Sequence, residues 1–187
     1  MSHAELTCQV AQALQIEFES QRFIVLHDHG EDLPERLGEI RPYFGTGLRS
    51  EILSDIDIAV VSRDDQKIYA LVEIEESNDK PKVILGDILA TLLGDGIAFH
   101  GKHELKVGPW TTLIVMVKGN HEADFKKNEF LKDEANKIKT YLTSQNHFIR
   151  KVVVEEFDNG KSLEDQLKGQ ICEAISAAYT ECNLKTG

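Results

Sequence analysis

Cysteine is scarce in this chain, and so are long apolar runs and basic residues. Three cysteines, Cys8, Cys172 and Cys182, stand far apart in 187 residues. An odd number at such spacing makes neither a disulfide framework nor a zinc-binding set, and points to reduced thiols in a cytoplasmic protein. Cys172 falls on the apolar side of the last helical pattern and is expected in the core. The apolar run Leu113–Val117 is far too short to cross a membrane. The opening MSHAELTCQV has no basic region followed by an apolar core, so no signal peptide is expected. Lysine and arginine number 21 against 32 acidic residues, a net charge of −11. That balance argues against a protein that coats nucleic acid through phosphate contacts. It leaves a nuclease open, because metal-binding carboxylates count in the total and a local basic patch can still follow a backbone.

What the chain does have is acid gathered in one place. Asp55–Glu76, DIDIAVVSRDDQKIYALVEIEE, reads as two β-strands, Ile56–Val61 and Ile68–Ile74, joined by a polar turn over Ser62–Lys67. Period-two alternation puts Ile56, Ile58 and Val60 on one face with Ile68, Ala70, Val72 and Ile74. The other face carries Asp55, Asp57, Ala59, Val61, Tyr69, Leu71, Glu73 and Glu75. With the turn centred on Asp65, Asp57 lies opposite Glu73 and Asp55 opposite Glu75, with Cβ atoms roughly 4.5–5.5 Å apart. Carboxylates so placed repel, and apolar neighbours add a desolvation cost. A divalent cation, basic side chains or bound protons must compensate. Mg²⁺ prefers carboxylate oxygen and keeps several waters, so the expectation is a Mg²⁺ or Mn²⁺ site on Asp55, Asp57, Glu73 and Glu75.

Around this hairpin, helical and extended patterns interleave. Residues 3–19 form an amphipathic pattern, and Ser2 with Glu5 fits a capping box. Arg22–His27 is a short strand leading into HDHGED, read as a solvated loop because its acids and histidines match no dependable metal-ligand spacing. Leu33–Ile40 is expected to be a short helix, and Arg41–Arg49 a strand end and turn around Gly45 and Gly47. Pro81 opens a buried helix through Leu93, followed by a loop to Gly108. Thr111–Val117 is a buried strand, His121–Gln145 a charged helix and Phe148–Glu156 a strand. Ser162 with Asp165 suggests a second capping box before a helix whose stripe is Leu163, Leu167, Ile171, Ala174, Ile175, Ala178 and Cys182. The class is α/β or mixed α+β, one domain over 1–187, with helices covering a central mixed sheet.

The order helix, strand, antiparallel hairpin, helix, strand resembles the core of the PD-(D/E)xK nucleases, the restriction-endonuclease-like superfamily. Asp57 in DIAV matches the metal-binding aspartate that opens the first hairpin strand; Asp55 is the other match, with Ser54 where the family usually has proline. Glu73-Ile74-Glu75 matches the acid, any residue, then lysine or acid of the second strand. The helix from Pro81 and the strand at Thr111 complete the order, so the likeness covers roughly Arg41–Val117. Glu75 stands where the family usually has lysine, giving an ExE variant. Some members use glutamate there; in others the following helix supplies the lysine, for which Lys80 and Lys82 are the candidates. Some also hold metal with a glutamate of the first helix, where Glu5 would correspond, although capping accounts for Glu5 equally well.

The resemblance implies a restriction-endonuclease-like fold: a central mixed sheet with an antiparallel hairpin, flanked by helices, and a C-terminal helix-strand-helix extension over 121–183. It implies Mg²⁺- or Mn²⁺-dependent hydrolysis of phosphodiester bonds in nucleic acid, with DNA as the first expectation. Asp57, Glu73 and the Ile74 carbonyl would hold the metal, and Asp55 a second metal or an outer position. Glu75, Lys80 or Lys82 would position or deprotonate the attacking water. Arg49, Lys102 and Lys106 would neutralise phosphates, and a homodimer is in keeping with many nucleases of this type. Two rivals use the same acids. Phe44-Gly45-Thr46, Asp55-Ile56-Asp57 and Val72-Glu73-Ile74 resemble the glycine turn and three acids of polymerase-β-like nucleotidyltransferases, with Thr46 where serine or glycine is expected. A nuclease-like fold kept only for binding is the other.

Overall fold

The computed structural model describes residues 2–43, 45, 52–75, 81–94, 96–100, 102–119, 122–143, 149 and 151–184. Its chain runs α1 (His3–Phe18), β1 (Phe23–His27), β2 (Ile40–Tyr43), β3 (Ile58–Ser62), β4 (Ile68–Glu75), α2 (Pro81–Leu93), β5 (Gly96–Phe99), β6 (Lys102–Leu105), β7 (Thr112–Lys118), α3 (Glu122–Thr143), β8 (Lys151–Phe157) and α4 (Gly160–Leu184). A five-stranded mixed sheet has the order β1-β3-β4-β7-β8. The first three strands pair antiparallel, while β4 with β7 and β7 with β8 pair parallel. A three-stranded sheet, β2-β5-β6, packs beside it. Among the described residues, no helix is long and apolar enough to cross a membrane.

Helices cover both faces of the large sheet, which is why β3, β4 and β7 are apolar almost throughout and buried on both sides. Leu6, Val10, Leu14 and Phe18 of α1 join Leu163, Leu167 and Ile171 of α4 against Ile58, Val60, Val72, Ile114 and Met116. On the opposite face Ile84, Ile88 and Leu92 of α2 and Leu131 and Ala135 of α3 meet Ala59, Val61, Leu71, Leu113 and Val115. Each such fully buried aliphatic or aromatic side chain contributes about 1.5–3 kcal/mol. The C-terminal β8 and α4 belong to this same sheet and core, β8 pairing with β7 and α4 packing on α1 and β4.

The hairpin keeps the expected register through Ile58↔Val72, Ala59↔Leu71 and Val60↔Ala70, then shifts to Val61↔Ile68. The extra residue on β4 is Tyr69. A one-residue slip exchanges the faces, so Tyr69 joins the α1/α4 core and Ile68 the α2/α3 core, the reverse of strict alternation.

Several local expectations differ from the structure. Residues 33–40 make one turn, with Arg36 and Leu37 amides both on the Leu33 carbonyl, and no helix follows. The His27 amide instead donates to the Arg36 carbonyl and the Gly38 amide to the His27 carbonyl, bridging His27 to Leu37, so β1 competes for the backbone that a helix would have used. The loop after α2 forms the β5–β6 hairpin. The α4 cap is Asn159, whose Oδ1 accepts from the Lys161 and Ser162 amides, while Ser162 turns back to Asp158 and Asn159. Cys172 is exposed, turned about 100° from its buried neighbour Ile171.

Candidate metal centre

At the carboxyl end of β4, the β3–β4 hairpin opens. Ile56 leaves the hairpin and pairs with Ile40 of β2, and the Asp57 carbonyl accepts the Asp28 amide. The Ile74 amide then takes the Asp57 side chain, with N to Oδ2 at 2.7 Å. Asp57 is therefore anchored by backbone on both sides and is 7 % exposed. The expected juxtaposition of Asp57 and Glu73 thus arises where the ladder gives way to side-chain bonding.

Glu73 lies on β4 beside Val115 of β7, 8 % exposed. Its Oε1 is buried and has no hydrogen-bond partner. Burial pushes the carboxyl well above the usual carboxylate range, and Asp57, Glu75, Asp87 of α2 and Asp28 push it further. Glu75, two residues along, is half-buried. Asp55 is elsewhere: its exposed carboxylate accepts from Arg41 Nε at 2.8 Å. Lys82 is exposed on the first turn of α2. Lys106 is exposed and its backbone bonds to Gln66 and Ile68, at the turn end of the hairpin, away from the acids. Glu5 makes the expected capping box with Ser2. Lys80 and Arg49 lie outside the described residues, as does Thr46, and the same holds for the Lys102 side chain.

Three further residues contribute: Asp28 and His29, from the loop expected to be solvated, and His3, which the sequence pattern does not single out. Asp28 follows β1, and its Oδ1 is buried without a hydrogen bond. Burial, with Asp57 next in weight, pushes its carboxyl up to about 7. His3, on the first turn of α1, donates from Nε2 to Asp57 Oδ1 at 2.9 Å. His29 places Nδ1 3.6 Å from Asp28 Oδ1, and its ring meets that of His3 edge-on at 5.1 Å. Ligand atoms of His3, His29 and Asp57 all lie within 4.8 Å of one another. HDHGED is therefore solvated only at Gly30 and Glu31, while His27, Asp28, His29 and Asp32 are buried or half-buried. His27 is fully buried, with Nε2 3.0 Å from Asp32 Oδ2 and Nδ1 2.7 Å from the His29 carbonyl. Both nitrogens lie within hydrogen-bonding distance of an oxygen, so the ring is held from two sides. Arg36 also pairs with Asp32.

This network fixes the backbone that carries Asp28 and His29, and Gly30 fits it against α1. Gly30 has φ +88°, and a Cβ there would fall 2.4 Å from Cys8 Cβ. Gly30→Ala is expected to cost about 1–3 kcal/mol, measured by urea unfolding. An unchanged midpoint would mean that the loop can lift away from α1.

The donor set suits a dication. Two buried oxygens lack partners, on Glu73 and Asp28, and the charges acting on Glu73 are carboxylates. Hard cations fill such oxygen-rich positions. The chain gives no significant match to any family model, curated protein or solved structure.

Proposed function

We propose that the protein is a metal-dependent nuclease of the restriction-endonuclease-like type, hydrolysing phosphodiester bonds in nucleic acid, with DNA as the substrate to test first. The observation that carries this reading is the buried pair Asp57 and Glu73 with Glu73 Oε1 unpartnered. The order of α1, the β3–β4 hairpin, α2 and β7 supports it, as does Asp87 of α2 acting on Glu73.

Asp57 and Glu73, with the Ile74 carbonyl, would hold Mg²⁺ or Mn²⁺. The bound ion would polarise the scissile phosphate and acidify a water. The Ile74 amide keeps the Asp57 carboxylate from rotating, so this side chain is oriented before any ligand arrives. Glu75 is half-buried on the same strand, and would accept the proton of the attacking water in place of the family's lysine. Lys82, or Lys80 before it, would bring positive charge to the phosphate.

The test is conversion of supercoiled DNA to nicked and linear forms with Mn²⁺ and with Mg²⁺, against a chelator control. Asp57→Asn is expected to slow cleavage by about 10²–10³-fold or more. Label transfer from a nucleoside triphosphate would instead favour the nucleotidyltransferase reading. Glu75 in the lysine position favours a binding-only protein as the second reading, for which DNA would be retained with metal and never cut.

A further inference from the structure

We propose a second cation position beside the Asp57–Glu73 pair, built from His3, His29, Asp28 and Asp57, that takes a borderline transition dication such as Zn²⁺, Co²⁺ or Fe²⁺ in preference to Mg²⁺. It rests on the reading above only in sharing Asp57, and its test reads metal binding, not cleavage.

Three separate segments converge on this point. His3 comes from the first turn of α1, Asp28 and His29 from the end of β1, and Asp57 from the start of β3. Donor atoms of His3, His29 and Asp57 lie within 4.8 Å of one another. Around an ion with bonds near 2.1 Å, tetrahedral ligands stand roughly 3.4 Å apart and trans octahedral ones roughly 4.2 Å. Small rotamer adjustments therefore close the set. Asp28 supplies the independent sign of a missing partner. Its side chain is nine-tenths buried, at 10 % exposure. Its Oδ1 makes no hydrogen bond, although His29 Nδ1 stands 3.6 Å away. A paired carboxylate and imidazole with only each other to satisfy would close to hydrogen-bonding distance. A gap flanked by a second imidazole and a second carboxylate is what a shared cation would fill.

The donor types set the metal. Imidazole nitrogen suits Zn²⁺, Fe²⁺ and their neighbours, whereas Mg²⁺ selects oxygen and water. Glu73, by contrast, is surrounded by carboxylates. The two positions would differ in the ion they prefer while Asp57 bridges them.

The experiment uses tag-free protein, stripped with chelator and dialysed. Mg²⁺, Zn²⁺ and Co²⁺ are titrated by calorimetry, and Co²⁺ is followed by its visible d–d absorption. Zn²⁺ and Co²⁺ should bind at least about 100-fold tighter than Mg²⁺. His3→Ala and His29→Ala should each weaken Co²⁺ by about 10–100-fold or more and alter the visible spectrum. Both are partly exposed positions, and circular dichroism confirms the folded state of each variant. Co²⁺ bound with wild-type affinity and spectrum in both folded variants, or no preference over Mg²⁺, would overturn the proposal. Histidine-dependent Co²⁺ binding without DNA cleavage would uphold it while removing the nuclease reading. Mg²⁺-supported cleavage with histidine-independent Co²⁺ binding would do the opposite.

Discussion

In chelator at pH 7, the Glu73→Gln protein is expected to be more stable than wild type by about 1–2 kcal/mol, raising its melting temperature by roughly 2–8 °C. The same change should lower metal-dependent cleavage by about 10³-fold and remove the stabilisation that metal gives. Glu73 is buried, its Oε1 has no partner, and Asp57, Glu75, Asp87 and Asp28 all oppose its charge. The unfolded chain ionises this residue near 4.3, while the folded chain holds the proton to higher pH. Between those limits the folded state binds more protons, so stability falls as pH rises. An amide of the same shape removes that cost and adds a donor that the neighbouring carboxylates can use. The gain should therefore shrink as pH falls and vanish below about 4.3, where both states are protonated. A purely structural glutamate would behave otherwise: Glu73→Gln would melt lower at every pH and leave metal binding intact. Higher apo stability with lost function is the signature of a site that is strained until filled.

The hairpin and its acids were legible because period-two alternation and a short polar turn define a register locally. Ile58↔Val72 and Val60↔Ala70 follow from that count alone. The bulge at Tyr69 did not, because a one-residue insertion is set by what packs on each face, here Phe23 edge-on to Tyr69 and Tyr179 stacked on it. Glu73 was legible as an acid among apolar residues. Asp55 had an equal claim by spacing, yet it pairs with Arg41 at the solvent edge. Only the departure of Ile56 toward β2 separates the two, and that is a tertiary pairing. Asp28 and His29 are set aside on the sequence alone for a similar reason. Their spacing matches no local ligand motif, and they reach Asp57 because β1 pairs with β3, with His27 opposite Ile58. His3 is only the first residue of the amphipathic pattern over 3–19, with no local sign of a ligand role. The one local hint was Gly30 inside HDHGED, a residue that allows the positive φ by which the loop meets Cys8.

Without metal, stability should pass through a maximum near pH 4 and decline toward pH 7, and saturating dication should move that maximum to neutral pH. The groups that act on Asp28 are Asp57, His3, His29 and the more distant Asp55, and those that act on Glu73 are Asp57, Glu75, Asp87 and Asp28. Asp28 is held up to about 7, against about 3.9 in the unfolded chain. From about pH 4 to 7 the folded protein thus keeps a proton that the unfolded chain has released, and its stability declines with rising pH. Above 7 the Asp28 contribution is constant. Below about pH 4 the sign reverses, because Asp32 and Asp65 are held below the usual carboxylate range. Their stabilisation is lost as pH falls through their folded values. A bound dication replaces the protons on Asp28 and Glu73, so its apparent affinity should drop about tenfold per pH unit below 7 for each proton displaced. Urea unfolding from pH 4 to 8, with chelator and with Mn²⁺, gives both curves. A chelated protein whose stability rises steadily from pH 5 to 7 would mean that Asp28 and Glu73 are ionised in the absence of metal. Their charges would then have to be balanced within the chain, and the case for a cation at this end of the sheet would fall with them.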